Sequence, residues 1–259
     1  MKSLLNTRGG IRLDKPKMIL FDYGQTLMYE GKFDGIAGTK AVLRNCAENP
    51  LCVTAEEIQT FANELNKDIG RYNPETQHLA LIEVHNHPFQ KYLYDYFGIK
   101  ILVSPLELET VFWDSAAPAR PTDGINELLC CLKDRNIRTG VISNIGFSGL
   151  AVTNRINKLL PDNNFEFIVT SSEYVFRKPS RRIFEIALKK SELEAEDVWY
   201  CGDNVKCDIE GAYNCSITPI WYKGAINTKS ACLPNVCIEI NEWIELTKIL
   251  LNLQEESRY

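Results

Sequence analysis

The chain has 259 residues, 45% of them hydrophobic, enough to bury a sizeable interior as one large domain or as a core carrying an insertion. Its 29 basic and 34 acidic residues are interspersed and give a net charge of −5, which offers no electrostatic footprint for nucleic acid or an anionic membrane and points to a small-molecule partner. Arg8, Arg12, Asp14 and Lys15 interrupt the start of the chain and no apolar run reaches bilayer length, so neither a secretory leader nor a membrane span is expected, and the expected location is the cytoplasm.

In chain order, Met18, Ile19, Leu20 and Phe21 form a continuous apolar run that reads as a buried parallel strand, ending in Asp22 and a turn around Gly24, Gln25 and Thr26. From Met28 to Arg120 the patterning is helical. Thr54 and Glu57 spell a capping box ahead of Ile58, Phe61, Leu65 and Ile69, a second helix is predicted after Pro88 and stops at Gly98, and Ser104, Pro105 and Glu107 open a third. The segment reads as an all-helical insertion. Its three histidines, His78, His85 and His87, have no cysteine near enough for a zinc pattern and read as structural or substrate-facing groups.

Beyond Arg120, strands and helices alternate. A helix capped by Thr122 or Asp123 leads to a strand over 139–142, a helix over 150–160 and a strand over 165–169. Ser180 opens the next helix, which precedes a strand over 198–201, the loop and helix GDNVKCDIEGA, strands over 216–221 and 236–240, and a final helix over 243–251. This rhythm predicts an α/β fold with a parallel sheet covered on both faces. The nine cysteines are scattered with no CxxC pair and read as reduced thiols.

Three strand ends besides that of Asp22 carry polar groups: Ser143 and Asn144, Lys178 before Pro179, and Asp203 with Asp208 around a turn begun by Gly202. Parallel strands present their C-terminal ends on one side, so these groups can converge on Asp22. The set suits a phosphate and Mg²⁺ site. A carboxylate such as Asp22 can attack phosphorus and be regenerated, Asp203 and Asp208 supply the anionic oxygens a magnesium ion prefers, and Ser143, Lys178 and the N–H groups of the Gly24 turn can neutralise the transferring group.

The ordered set DYGQTL, SN, KP and GDNVKCD resembles the four motifs of the haloacid dehalogenase superfamily of hydrolases and spans Asp22 to Asp208. The resemblance implies a doubly wound α/β core, residues 1–27 and 121–259, with a helical cap of residues 28–120 inserted between the first two motifs. It also implies Asp22 as nucleophile, Ser143 and Lys178 as the phosphate-binding pair, Asp203 as a Mg²⁺ ligand, Asp208 as ligand or support, and a further ligand in the Gly24 carbonyl. Tyr23, Gln25, Asn144, His85 and His87 are further candidates for substrate contact.

One departure matters. Phosphatases of this type usually carry a second aspartate, which acts as acid and base, where this chain has Gly24. That argues against a phosphomutase. It leaves substrates with good leaving groups, a replacement acid near the cap hinges such as Glu30 or Asp114, or a slow enzyme with a persistent phospho-aspartate. The expected function is a Mg²⁺-dependent phosphatase for a small phosphorylated metabolite, acting through an aspartyl-phosphate. A metal-independent 2-haloacid dehalogenase ranks behind it, because Asp203 and Asp208 beside Asp22 call for a cation, and a phospho-ligand binder without turnover is the non-enzymatic alternative.

Overall fold

The computed structural model describes residues 13–70, 81–226 and 232–256; His78 and the first twelve residues, with Arg8 and Arg12, lie outside them. Every residue of β1 (Met18–Phe21) is buried, as a continuous apolar run between two layers of helices must be. Successive side chains point to opposite faces, so Ile19 and Phe21 join one apolar cluster while Met18 and Leu20 join another.

The chain then forms β2 (Met28–Glu30), α1 (Gly35–Leu43), β3 (Cys46–Glu48), α2 (Ala55–Asp68), α3 (Asn86–Tyr96), β4 (Lys100–Ile101), α4 (Pro105–Ala116) and β5 (Ala119–Pro121). The alternating part follows: α5 (Ile125–Asp134), β6 (Arg138–Ser143), α6 (Gly149–Leu159), β7 (Phe165–Thr170), the single turn α7 (Ser171–Tyr174), α8 (Arg181–Ser191) and β8 (Val198–Gly202). A π-helical turn over Val205–Glu210 leads through α9 (Gly211–Tyr213) to β9 (Thr218–Tyr222), β10 (Ile238–Ile240) and α10 (Trp243–Glu256).

The six core strands are ordered β10-β9-β8-β1-β6-β7, all parallel, with β1 between β6 and β8. Strand order reverses at β1, so the sheet is doubly wound and its switch point lies at the end of β1, immediately before Asp22.

Helices α1 to α4 enclose an apolar cluster that includes Val42, Ile58, Tyr94, Leu108 and Phe112. The capping boxes at Thr54 and Ser104 form as the sequence predicts. Other features differ. α3 starts at Asn86, ahead of Pro88, because the His85 ring caps it by accepting from His87 N at 3.1 Å; Pro88 then falls in the first turn, where a missing N–H costs little. α5 is preceded by Gly124 at φ 86°, not capped by Thr122 or Asp123, since the Thr122 hydroxyl donates instead to Thr26 O at 2.8 Å. The insertion also holds more than helices: β3 pairs antiparallel with β4, and β2 with β5 where the insertion joins the core. These strands have two or three residues each, too few to show a period in the sequence.

Candidate active site

Asp22 leaves β1 at the switch point, its N–H donating to Cys201 O at 2.8 Å, and the chain turns back so that Leu27 N and Met28 N both reach Tyr23 O at 3.0 Å. Ser143 ends the neighbouring strand β6, Lys178 precedes α8, and Asp203 and Asp208 follow β8. Asp22, Lys178, Asp203 and Asp208 do meet, although Lys178 stands beyond α7 and not at the end of β7. One carboxylate oxygen each of Asp22, Asp203 and Asp208 lies within 4.8 Å of the others.

Lys178 binds this cluster together. Its Nζ is 2.6 Å from Asp22 Oδ1, 2.6 Å from Asp208 Oδ1 and 2.7 Å from the Tyr200 hydroxyl, with Ile142 O at 3.2 Å. Burial opposes a charge on the ammonium, yet Asp208 and Asp22 outweigh it and hold Lys178 protonated well above the usual lysine range. Asn144 fixes the backbone beneath: its Oδ1 accepts from Lys178 N at 2.6 Å and its Nδ2 donates to Lys178 O at 2.9 Å. Both ends of that amide hold the backbone of Lys178, so Asn144 braces the lysine, and it also lines the cavity.

Asp208 is buried at the π-helical turn, its Oδ2 accepting from Asn204 N at 2.9 Å. It packs so closely on β8 that a Cβ at Gly202 would stand 2.5 Å from Asp208 Cβ, so only glycine fits there. Burial pushes the Asp22 carboxyl up to about 6 although the Lys178 charge pulls it back, and burial with the charges of Asp208 and Asp22 pushes Asp203 up to about 8. Three carboxylates gathered around one ammonium leave negative charge uncompensated. The donors are all oxygen, which fits a hard divalent cation such as Mg²⁺, and Asp22, Asp203 and Asp208 would hold it.

These groups face a cavity of about 960 Å³ between the sheet edge and the helices of the insertion. Ser143, Gly24 and Gln25 line it on the core side, and Gln59, Asn63, Phe89, Gln90, Tyr94, Phe112 and Trp113 on the other. Gln25 sits at φ 54° and donates its amide to Glu30 O at 3.0 Å. His85 and His87 do not line the cavity: His87 Nε2 meets Glu109 at 2.9 Å and His85 Nε2 lies 3.7 Å from Glu173 Oε1. Asp114 is also away from it, paired with Arg155 at 2.9 Å and Lys158 at 3.1 Å. Glu30 lines the cavity and accepts from Trp113 Nε1 at 3.1 Å; burial pushes its carboxyl upward against the pull of Arg155.

Sequence reasoning missed Tyr200, whose hydroxyl completes the shell of Lys178, because it hides in the apolar run of β8. Its signal was a hydroxyl within a fully buried strand, since a buried tyrosine hydroxyl needs a partner. Arg177, which lines the cavity and pairs with buried Glu83 from the insertion side, was passed over beside Lys178.

Fold and site together define a class. The family described as haloacid dehalogenase-like hydrolase matches residues 19–222, and the chain belongs to it. Among its relatives, a glyceraldehyde 3-phosphate phosphatase of Pyrococcus abyssi is 25% identical over 80% of this chain and 81% of that protein. The pyrimidine 5'-nucleotidase YjjG of Escherichia coli is 26% identical over 78% of this chain and 84% of its own. The same fold occurs in a 2-haloacid dehalogenase from Pseudomonas syringae, with TM-score 0.60, 19% identity and coverage of 93% of this chain and 99% of that one. A phosphatase from Thermococcus onnurineus gives TM-score 0.58 at 17% identity, covering 90% and 97%. No helix among the described residues is long and apolar enough to cross a membrane, and all nine cysteines are free thiols.

Proposed function

We propose that the chain is a Mg²⁺-dependent phosphatase acting on a small phosphorylated metabolite in the cytoplasm, with residues 28–120 as a cap that closes over the site and selects the substrate. The observation that carries this reading is the meeting of Asp22, Asp203 and Asp208 within 4.8 Å, with Lys178 bridging two of them, at the switch point of the sheet. A nucleophilic carboxylate alone needs no such company. The relatives named as phosphatase and nucleotidase agree with it.

Asp22 attacks phosphorus, and the leaving oxygen departs with its electron pair as the phosphoryl group passes to the carboxylate. Lys178 favours the ionised, nucleophilic form of Asp22 and offers positive charge to the incoming phosphoryl oxygens, and the Ser143 hydroxyl, at the end of β6, lines the same cavity as a further donor to them. A bound Mg²⁺ would supply charge neutralisation between the carboxylate and the phosphoryl oxygens, which otherwise repel. The wall of amide and aromatic side chains from the insertion lines the cavity over this step and, on closure of the cap, would exclude bulk water from it.

Phosphate release from a panel of alkyl, aryl and acyl phosphates, with and without Mg²⁺, tests the reading. Release that needs the metal supports it. Halide release from 2-haloacids without metal, or tight phosphate-ester binding with no release, would overturn it.

A further inference from the structure

Four carboxylates line the cavity among the described residues, and three of them, Asp22, Asp203 and Asp208, form the cluster. The fourth is Glu30. A phosphatase working on an ordinary alcohol ester has need of such a group, because an alkoxide is a poor leaving group and departs readily only when protonated as the bond to phosphorus breaks. Lys178 is committed to two carboxylates, Arg177 to Glu83, and Asp114 to Arg155 and Lys158 away from the cavity.

Position singles out Glu30 further. It ends β2, and its main-chain oxygen is held by Gln25, so its backbone is tied to the loop that carries the nucleophile. One side-chain oxygen, Oε1, is fixed by the Trp113 indole, with Arg155 Nη2 at 3.9 Å. The other, Oε2, lies 3.6 Å from the point where a Cβ at Gly24 would stand. A carboxylate grown from position 24, two residues beyond the nucleophile, would thus reach the space that Glu30 already fills from β2.

Resting on the phosphatase reading, we infer that Glu30 is the general acid and base of this enzyme, delivered from the hinge strand in place of a side chain at Gly24. As Asp22 attacks and the bond from phosphorus to the leaving oxygen breaks, the Glu30 carboxyl gives its proton to that oxygen and the alcohol leaves. The resulting carboxylate takes a proton from water as that water attacks the phosphorus of the aspartyl-phosphate. Asp22 and inorganic phosphate are released, and Glu30 is again protonated. One water is consumed per ester.

The test compares Glu30→Gln with wild type on an alkyl phosphate and on a nitrophenyl phosphate whose leaving group needs no proton. Gln keeps an acceptor for Trp113, and unchanged thermal melting confirms folding. The expected result is a fall in kcat/KM of about 10²- to 10⁴-fold on the alkyl ester, a change of less than about threefold on the nitrophenyl ester, and a burst of nitrophenolate as the second step becomes limiting. Adding Gly24→Asp to Glu30→Gln is expected to recover at least about tenfold on the alkyl ester. Equal losses on both esters, or no loss on either, would overturn the role of Glu30. Wild type inert on both esters would overturn the phosphatase reading itself.

Discussion

Ser148 and Glu109 meet across the boundary between the core and the insertion. The Ser148 hydroxyl donates to Glu109 Oε2 at 2.5 Å and its N–H to Oε1 at 2.9 Å, while the same hydroxyl accepts from Ala151 N and so caps α6. Glu109 is fully buried and also receives Asn86 Nδ2 and the His87 ring. Replacing it with alanine leaves these donors without an acceptor. Glu109→Ala is expected to lower stability by about 3 kcal/mol, against half of that or less for Glu109→Gln, as read by urea denaturation. A loss under about 1 kcal/mol for alanine would show that the contact does not hold the two parts together.

Lys178 is the second junction to break. Lys178→Met strands Asp22 and Asp208, so activity is expected to fall by about 10³-fold or more, and stability by about 3 to 5 kcal/mol in the absence of metal. Excess Mg²⁺ is expected to return part of the stability and none of the activity. Thermal melting with and without the ion decides it; an unmoved melting temperature in the variant would contradict the bridging role.

For Asp22 the two readouts diverge. Asp22→Asn removes the proposed nucleophile and at the same time one of three crowded carboxylates, so turnover is expected to vanish while the metal-free protein melts at the same temperature or higher near neutral pH. A variant that keeps full turnover would place the attacking group elsewhere.

The clustered carboxylates also set a pH dependence. In the fold Asp22 keeps its proton up to about pH 6 and Asp203 up to about pH 8, against an ordinary value of 3.8. The folded chain thus binds more protons than the unfolded one across this window, so these groups favour the metal-free fold most in acid and lose that contribution as pH rises towards 8. A divalent cation binds the deprotonated site and gains where the proton is lost. The rise in melting temperature on adding Mg²⁺ is therefore expected to be small at about pH 5 and larger at about pH 9, measured by scanning calorimetry. A gain independent of pH would mean that the ion binds elsewhere.

The parallel sheet and the groups that meet at Asp22 were legible because each rests on a local signal: a four-residue apolar run for β1, a polar pair after β6, a lysine before proline, and two aspartates after glycine; the strand order came only from the structure. Bounds drifted where a side chain chose a distant partner over its own helix, as Thr122 does with Thr26. The use of Asn144 was not legible for the same reason, since its partner is the main chain of a residue 34 positions away. Glu30 and Asp114 looked alike in the sequence, both near the hinges. Only the packing of Arg155 and Lys158 around one, and of Trp113 and Gly24 around the other, separates them.

The ribbon of β2 and β5 has a consequence for how such a protein can change. Met28 stands opposite Pro121 and Glu30 opposite Ala119, and the pairing continues as Gly31 N meets Pro118 O at 3.1 Å and Asp34 N meets Ala116 O at 2.7 Å. To the sheet, everything in between is the loop of one long hairpin. Loop closure costs only about 0.6 kcal/mol for each doubling of length, so this cassette can grow, shrink or be exchanged without disturbing strand order. Half of the cavity wall travels with it, from Gln59 on α2 to Trp113 on α4. On the proposed function, a new substrate can then be acquired by replacing one contiguous stretch of chain, while the cluster of Asp22, Asp203 and Asp208 stays where it is.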